Sequence, residues 1–204
     1  MTAISRRRTI ALIDYDNARI EPITAERNAG AVQVGCLSII EALTAALVAS
    51  GASYGEIRAR FYGGWLHEDG RWTERAEWMR EELRNMRGLR HGIRLLPELA
   101  VALMSQPRRD IRGTARIRTD RSGYSHQQKM VDTMLCVDLV LMSLAPDEDI
   151  VVVSDDDDVI PAMIVAQATL GRIRLFRHRE LGKSCNDHHL RELGLPITVF
   201  RPVQ

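Results

Sequence analysis

Asp14-Tyr15-Asp16-Asn17 follows the apolar run Thr9 to Ile13, and Ser154-Asp155-Asp156-Asp157-Asp158 follows Ile150 to Val153. In an open α/β sheet the reactive groups lie beyond the carboxyl ends of the strands, and both acidic clusters hold that position. Four consecutive aspartates repel one another: at an effective dielectric of about 20, two carboxylates about 5 Å apart cost roughly 3 kcal/mol. A bound cation offsets such a cost, and oxygen donors with no Cys or His among them select Mg²⁺ or Mn²⁺ over Zn²⁺. The same residues also have quieter roles open to them. Asp14 can cap a turn, and Asp155 to Asp158 can open a helix, where Asp complements the macrodipole and Pro161 suits the first turn. One or two acids suffice for a cap, however, and a cap does not explain a second cluster at another strand end.

A third set of charges falls in His126 to Ala145, read as one long helix. Lys129 and Asp132 are three apart and share a face near its start. Asp138, six beyond Asp132, falls on a different face, with a solvated or capping role as its alternative.

These positions depend on the order of elements around them. Thr9 to Ile13 reads as a buried parallel strand. Ala31 to Ser50 has helical apolar spacing and stops at Gly51. Ile57 to Tyr62 alternates as a strand, Gly63 and Gly64 break the chain, and Thr73 to Arg87 reads as an amphipathic helix with a Thr cap. Its stripe Trp78, Met79, Leu83 and Met86 suits the core or a homodimer contact. Ile93 to Leu96, Ile150 to Val153, Ile173 to Phe176 and Ile197 to Phe200 are further strands, and Ile160 to Leu170 and Ser184 to Leu193 are further helices. This alternation calls for one domain over residues 1–204, a three-layer α/β/α sandwich with a mostly parallel central sheet.

Residues 107–125, with Pro, two Gly and no apolar periodicity, read as a long loop. It gathers Arg108, Arg109, Arg112, Arg116, Arg118 and Arg121. The alternatives are a phosphate-holding segment and a merely solvated one.

The 28 Lys and Arg against 27 Asp and Glu, a formal charge of +1, exclude a uniformly basic nucleic-acid binder. Cys36, Cys136 and Cys185 are an odd number without close pairing, which suits a reducing compartment; with no membrane-length apolar run, a cytoplasmic protein is expected. Cys185 with His178, His188 and His189 matches no standard zinc spacing.

Three motifs in order resemble the NYN family of the PIN-like ribonuclease superfamily, the group that includes the LabA-like proteins. They are Leu12-Ile13-Asp14-Tyr15-Asp16-Asn17, then Lys129-Met130-Val131-Asp132 with Asp138, then Ser154-Asp155-Asp156-Asp157-Asp158-Val159, within roughly residues 8 to 175. Tyr15 and Asp155 stand where the family commonly has Gly, and Val159 where it has Phe. The resemblance implies that Asp14, Asp132, Asp156 and Asp158 form a catalytic cluster holding one or two Mg²⁺ or Mn²⁺ ions. Asn17 and Ser154 would orient ligands or the scissile phosphate from behind. Lys129 would contact a phosphate oxygen or pair with Asp132. The expected activity is hydrolysis of phosphodiester bonds in RNA, most simply single-stranded RNA. The Arg-rich segment would then hold the backbone, with Tyr124, Trp65 or Trp72 stacking on bases.

Two other functions fit parts of the pattern. A phosphatase of the haloacid dehalogenase type would use Asp14 as nucleophile with Asp16 nearby, but Ala18 stands where Thr or Val is usual, and Lys129 to Asp132 has no role there. A non-catalytic RNA-binding or partner-binding module of the same fold would not require four converging carboxylates.

Overall fold

The computed structural model describes residues 7–18, 29–49, 54–120, 123–145, 148–170, 172–177 and 186–199. The first strand, β1 (Arg7–Asp14), runs into a short helix α1 (Tyr15–Ala18), followed by α2 (Ala29–Ala49) and β2 (Tyr54–Tyr62). Next come α3 (Glu74–Met86), a short β3 (Gly88–Arg90) and β4 (Ile93–Leu99). A hairpin of β5 (Ala115–Asp120) and β6 (Gly123–Gln128) precedes α4 (Val131–Met142), β7 (Glu148–Val153) and α5 (Ile160–Leu170). The chain closes on β8 (Ile173–Arg177), α6 (Asn186–Glu192) and β9 (Ile197–Val199).

Among the described residues seven strands form one sheet in the order β3-β4-β2-β1-β7-β8-β9. Every pairing in it is parallel except the edge pair β3–β4. The expected α/β/α sandwich is therefore present, and the side-chain alternation of β1 explains why. Ala11 and Ile13 pack on the α2 and α3 side with Leu43, Met79 and Leu83, while Ile10 and Leu12 pack on the α4 and α5 side with Leu135, Leu139 and Met163. A strand apolar on both faces can be covered only by helices on both faces. Met79, Leu83 and Met86 are buried in this core, and Trp78 is partly buried against it.

Thr73 caps α3 as expected, its hydroxyl accepting from the Ala76 amide at 3.1 Å. Ahead of it, Gly63 lets the Trp65 ring fold back onto β2, since a Cβ there would sit 2.5 Å from the indole. The folded-back indole N–H donates to the Phe61 carbonyl at 2.9 Å.

Two expectations in the middle of the chain need correction. The Arg-rich stretch is not a loop throughout, because residues from Ala115 onward pair antiparallel with β6 in the register Ala115↔Gln128 to Asp120↔Gly123. The helix expected from His126 begins only at Val131, because β6 takes up residues 123–128 and Met130 adopts a left-handed φ of 62°. The Met130 conformation is strained for a side-chain-bearing residue and ends the hairpin with a sharp turn. Lys129 therefore lies before the helix, its amide donating to the Thr114 carbonyl at 2.9 Å, and shares no helical face with Asp132.

Candidate active site at the carboxyl edge of the sheet

β1 and β7 are neighbours with Ile13 opposite Val153, so the residues that follow them, Asp14 and Ser154, emerge side by side. The Ser154 hydroxyl donates to Asp14 Oδ2 at 2.8 Å, and the Asn17 amide donates to the same oxygen at 2.8 Å. Ser154 Oγ also accepts from the Asp156 amide at 3.0 Å, and Asp156 Oδ1 accepts from the Asp158 amide at 3.0 Å, capping a turn of 3₁₀ helix over Asp157–Val159. Asn17 and Ser154 thus both hold the same oxygen of the Asp14 carboxylate. Asp132 reaches the same edge from the first turn of α4.

The electrostatics of this edge are those of crowded acids. Asp14 is 1% exposed. Burial, opposed by the Asn17 and Ser154 hydrogen bonds and reinforced by Asp132 and Asp16, moves its pKa from the ordinary 3.8 up to about 6. Burial and then the charges of Asp156, Asp158 and Asp16 push Asp132 up as well. The remaining oxygens, Asp14 Oδ1 and Asp132 Oδ1, are buried without a hydrogen-bond partner. Among the described residues, none of Asp14, Asp132, Asp156 and Asp158 forms an ion pair. As they stand, no three carboxylate, imidazole or thiol groups among the described residues are arranged to hold a metal ion.

Three further residues belong to this edge. Asp16 raises both Asp14 and Asp132 and is itself held by Arg75, whose guanidinium makes contacts of 2.6 and 3.1 Å to its two oxygens. Arg75 lies over the rings of Tyr15 and Trp65, 5.7 and 5.0 Å from their centroids. Nothing in the sequence marked Arg75, which sits in an ordinary amphipathic helix. Cys136, one turn along α4 from Asp132, has its thiol pushed up to about 11 by burial and the surrounding aspartates, so it stays protonated at neutral pH and is a poor nucleophile.

Other expected residues fall elsewhere. Asp138 is neither solvated nor a cap: it is fully buried, accepts from the Tyr62 hydroxyl at 2.7 Å and the Met104 amide at 2.8 Å, and lies 3.5 Å from Arg60 Nε. Lys129 is exposed and makes no ion pair with Asp132. Trp65 is fully buried and offers no face to a base, whereas Trp72 is half-buried. Asp157 is drawn away from the cluster by the buried Arg177, which it meets at 2.8 Å and which also contacts Asp187 at 3.0 Å and the Asp155 carbonyl at 3.1 Å.

Of the arginines, Arg108, Arg109 and Arg112 are exposed on the segment before β5, and Arg116 on β5 pairs with Glu68 at 3.2 Å. Arg118 lies on β5, its side chain outside the described structure, as does that of Tyr124 on β6. Arg121, His178 and Cys185 lie outside the described residues; His188 and His189 are exposed on α6 beside Glu192. No helix among the described residues is long and apolar enough to cross a membrane. No family model matches the chain, and no curated protein matches it.

Proposed function

We propose that the chain is a metal-dependent endoribonuclease that hydrolyses phosphodiester bonds in single-stranded RNA, working at the edge formed by Asp14, Asp132, Asp156 and Asp158. The observation that carries this reading is the buried Asp14 carboxylate, pushed up to about 6, with one oxygen unpartnered and other acids around it in place of a cation. A divalent ion suits these donors: all are hard oxygens, and the two orphaned Oδ1 atoms of Asp14 and Asp132 lack the partner that buried acceptors require. Mg²⁺ or Mn²⁺ would be held by the four aspartates, and when bound it lowers the pKa of a water and stabilises charge on the phosphate under attack. Asn17 and Ser154 fix the rotamer of Asp14, so one oxygen is committed to the protein and the other is left for a ligand. Asp156 ties its own backbone to Ser154 and its carboxylate to the Asp158 amide, so Ser154, Asp156 and Asp158 are joined in one hydrogen-bonded turn. Arg75 pairs with Asp16 and offsets part of the charge that Asp16 adds to Asp14 and Asp132. The same ion pair weighs against the phosphatase alternative, in which Asp16 would have to be available as a proton donor.

The test is Asp156→Asn. Asparagine keeps the side-chain oxygen that caps the turn, so the fold should hold, with an unfolding free energy within about 0.5 kcal/mol of the wild type. A metal ligand is lost, and cleavage of labelled single-stranded RNA in Mn²⁺ or Mg²⁺ should fall by at least about a hundredfold. Cleavage that survives both EDTA and Asp156→Asn refutes the nuclease. RNA binding without cutting under any divalent ion assigns the chain to the binding-module class instead.

A further inference from the structure

We propose that the groove between α3 and β4, with Trp72 at its upper end, is the track along which single-stranded nucleic acid approaches the acidic edge. This deepens the nuclease reading and rests on its nucleic-acid substrate, though not on catalysis.

Arg80, Arg84 and Arg87 recur at four- and three-residue steps and so lie within about 60° of one another around the helix. All three are exposed, and they line one wall of a 280 Å³ cleft whose other wall is Pro97, Glu98 and Leu99. The cleft is cationic in net terms. Its one acid, Glu98, is engaged by the buried Arg60 at 3.3 Å. Arg80 and Arg87 have no carboxylate partner among the described residues. Arg84 pairs with Glu81 at 2.5 Å, an exposed contact of the kind that a phosphate readily displaces.

Trp72, partly buried against the core, closes one end of the groove. It is pinned by a bridge to Leu66, carries the Arg80 guanidinium 4.5 Å from its ring centroid, and also lines a second cleft of 620 Å³ with His67 and Arg116. In that second cleft the cations are largely answered, Arg116 by Glu68 at 3.2 Å and Arg71 by Asp69 at 2.5 Å. The uncompensated charge therefore lies on the α3 side. Leu99 is in register with Phe61, and Phe61 with Ile13, so the groove opens at the same edge as Asp14, two strands or about 10 Å to the side. Cations spaced along a narrow groove, one of them held over the Trp72 ring, suit the backbone of a flexible single strand better than a rigid duplex.

The test uses the full chain in EDTA, so that binding is read without cleavage, and a labelled oligouridylate of about 20 nucleotides titrated between roughly 50 and 200 mM salt. Three phosphate contacts on a single strand contribute about 2 to the slope of log affinity against log salt. The variant Arg80→Gln, Arg84→Gln, Arg87→Gln should lose that amount and bind about a hundredfold more weakly near 0.1 M salt, with an unchanged melting temperature. An unchanged slope overturns the inference, as does a wild type that binds no single strand or prefers duplex. A loss seen only on replacing Arg108, Arg109 and Arg112 moves the contact elsewhere and overturns it too. A flattened slope in a protein that never cuts RNA leaves the track standing while the nuclease falls; cutting with an unchanged slope does the reverse.

Discussion

Replacing Asp14 by Asn should make the ion-free protein more stable at neutral pH, even though it deletes a central residue of the site. The native carboxyl binds its proton more tightly than the unfolded one, with a pKa of about 6 against 3.8. For an acid shifted upward, the native state is favoured below the unfolded pKa, and that advantage is lost as pH rises from about 4 to about 6. A shift of roughly 2 pKa units corresponds to about 3 kcal/mol, and with Asp14 only 1% exposed little of it is screened away. Asparagine is neutral throughout and keeps an oxygen for Asn17 and Ser154, while its NH2, placed where Oδ1 has no partner, offsets part of the gain. For a domain of this size the gain in melting temperature at pH 7.5 in EDTA should approach about 6 to 12 °C as an upper bound. The gap between variant and wild type should shrink toward pH 4 and level off above pH 6. Adding Mn²⁺ should then stabilise the wild type, by about 2.7 kcal/mol at a hundred times the dissociation constant, and the variant far less. Thermal melts by circular dichroism across pH 4 to 8 provide the assay. A gap that does not change with pH, or an Asp14→Asn variant that melts lower than wild type in EDTA at pH 7.5, would show that Asp14 carries no buried-charge cost.

Arg177→Met should lower the melting temperature by about 10 °C, because the fully buried guanidinium serves Asp157, Asp187 and the Asp155 carbonyl together, and breaking a buried pair costs about 3 to 5 kcal/mol. Arg177→Lys should rescue little of this, since one ammonium cannot match the planar fork; full rescue would contradict the geometry. Tyr62→Phe removes the hydroxyl that donates to Asp138 at 2.7 Å and should cost about 1 to 3 kcal/mol, seen as a lower urea midpoint with an unchanged slope. It should leave kcat untouched, because Asp138 is committed to Tyr62, the Met104 amide and Arg60; a large loss of kcat in a folded Tyr62→Phe protein would place Asp138 in the chemistry.

The sheet was legible because strands buried on both faces leave a strong mark: Thr9 to Ile13 and Ile150 to Val153 are almost wholly apolar. Strand ends alone placed the two acidic clusters, Asp14 with Asp16 and Asp155 to Asp158, at the carboxyl edge, whereas Asp14, Asp132, Asp156 and Asp158 are singled out only by the family resemblance. Three things had no such mark. The hairpin of β5 and β6 carries only a two-step apolar alternation, Ala115 and Ile117 between arginines, and β6 has Tyr124 as its one large apolar residue, so its existence depends on pairing between its own two strands. The start of α4 was misplaced because His126 to Met130 contain neither Gly nor Pro; the break comes from the left-handed Met130, a conformation imposed by the hairpin before it. Asp138 was misjudged because its partners, Tyr62 and Met104, are 76 and 34 residues away along the chain.

The run Asp155 to Asp158 shows how one stretch of like charge is divided among tasks. Asp157 turns inward to Arg177, whose Nε lies 3.0 Å from Asp187 on α6, so this acid helps tie α6 to the sheet. Asp156 caps a turn with one oxygen while its charge acts on Asp132. Asp158, exposed, adds its charge to the same neighbour. Across the edge, Asp16 is met by Arg75. The protein thus supplies cations for two of the acids, Asp16 and Asp157, and among the described residues forms no ion pair with Asp14, Asp132, Asp156 or Asp158. A fold that needed only to silence its repulsion could have met all six from within. Leaving four acids to repel one another beside two paired ones is expected of a site whose counter-charge arrives from solution, and it is this difference that Mn²⁺ titrations of the Asp14→Asn and wild-type proteins would measure.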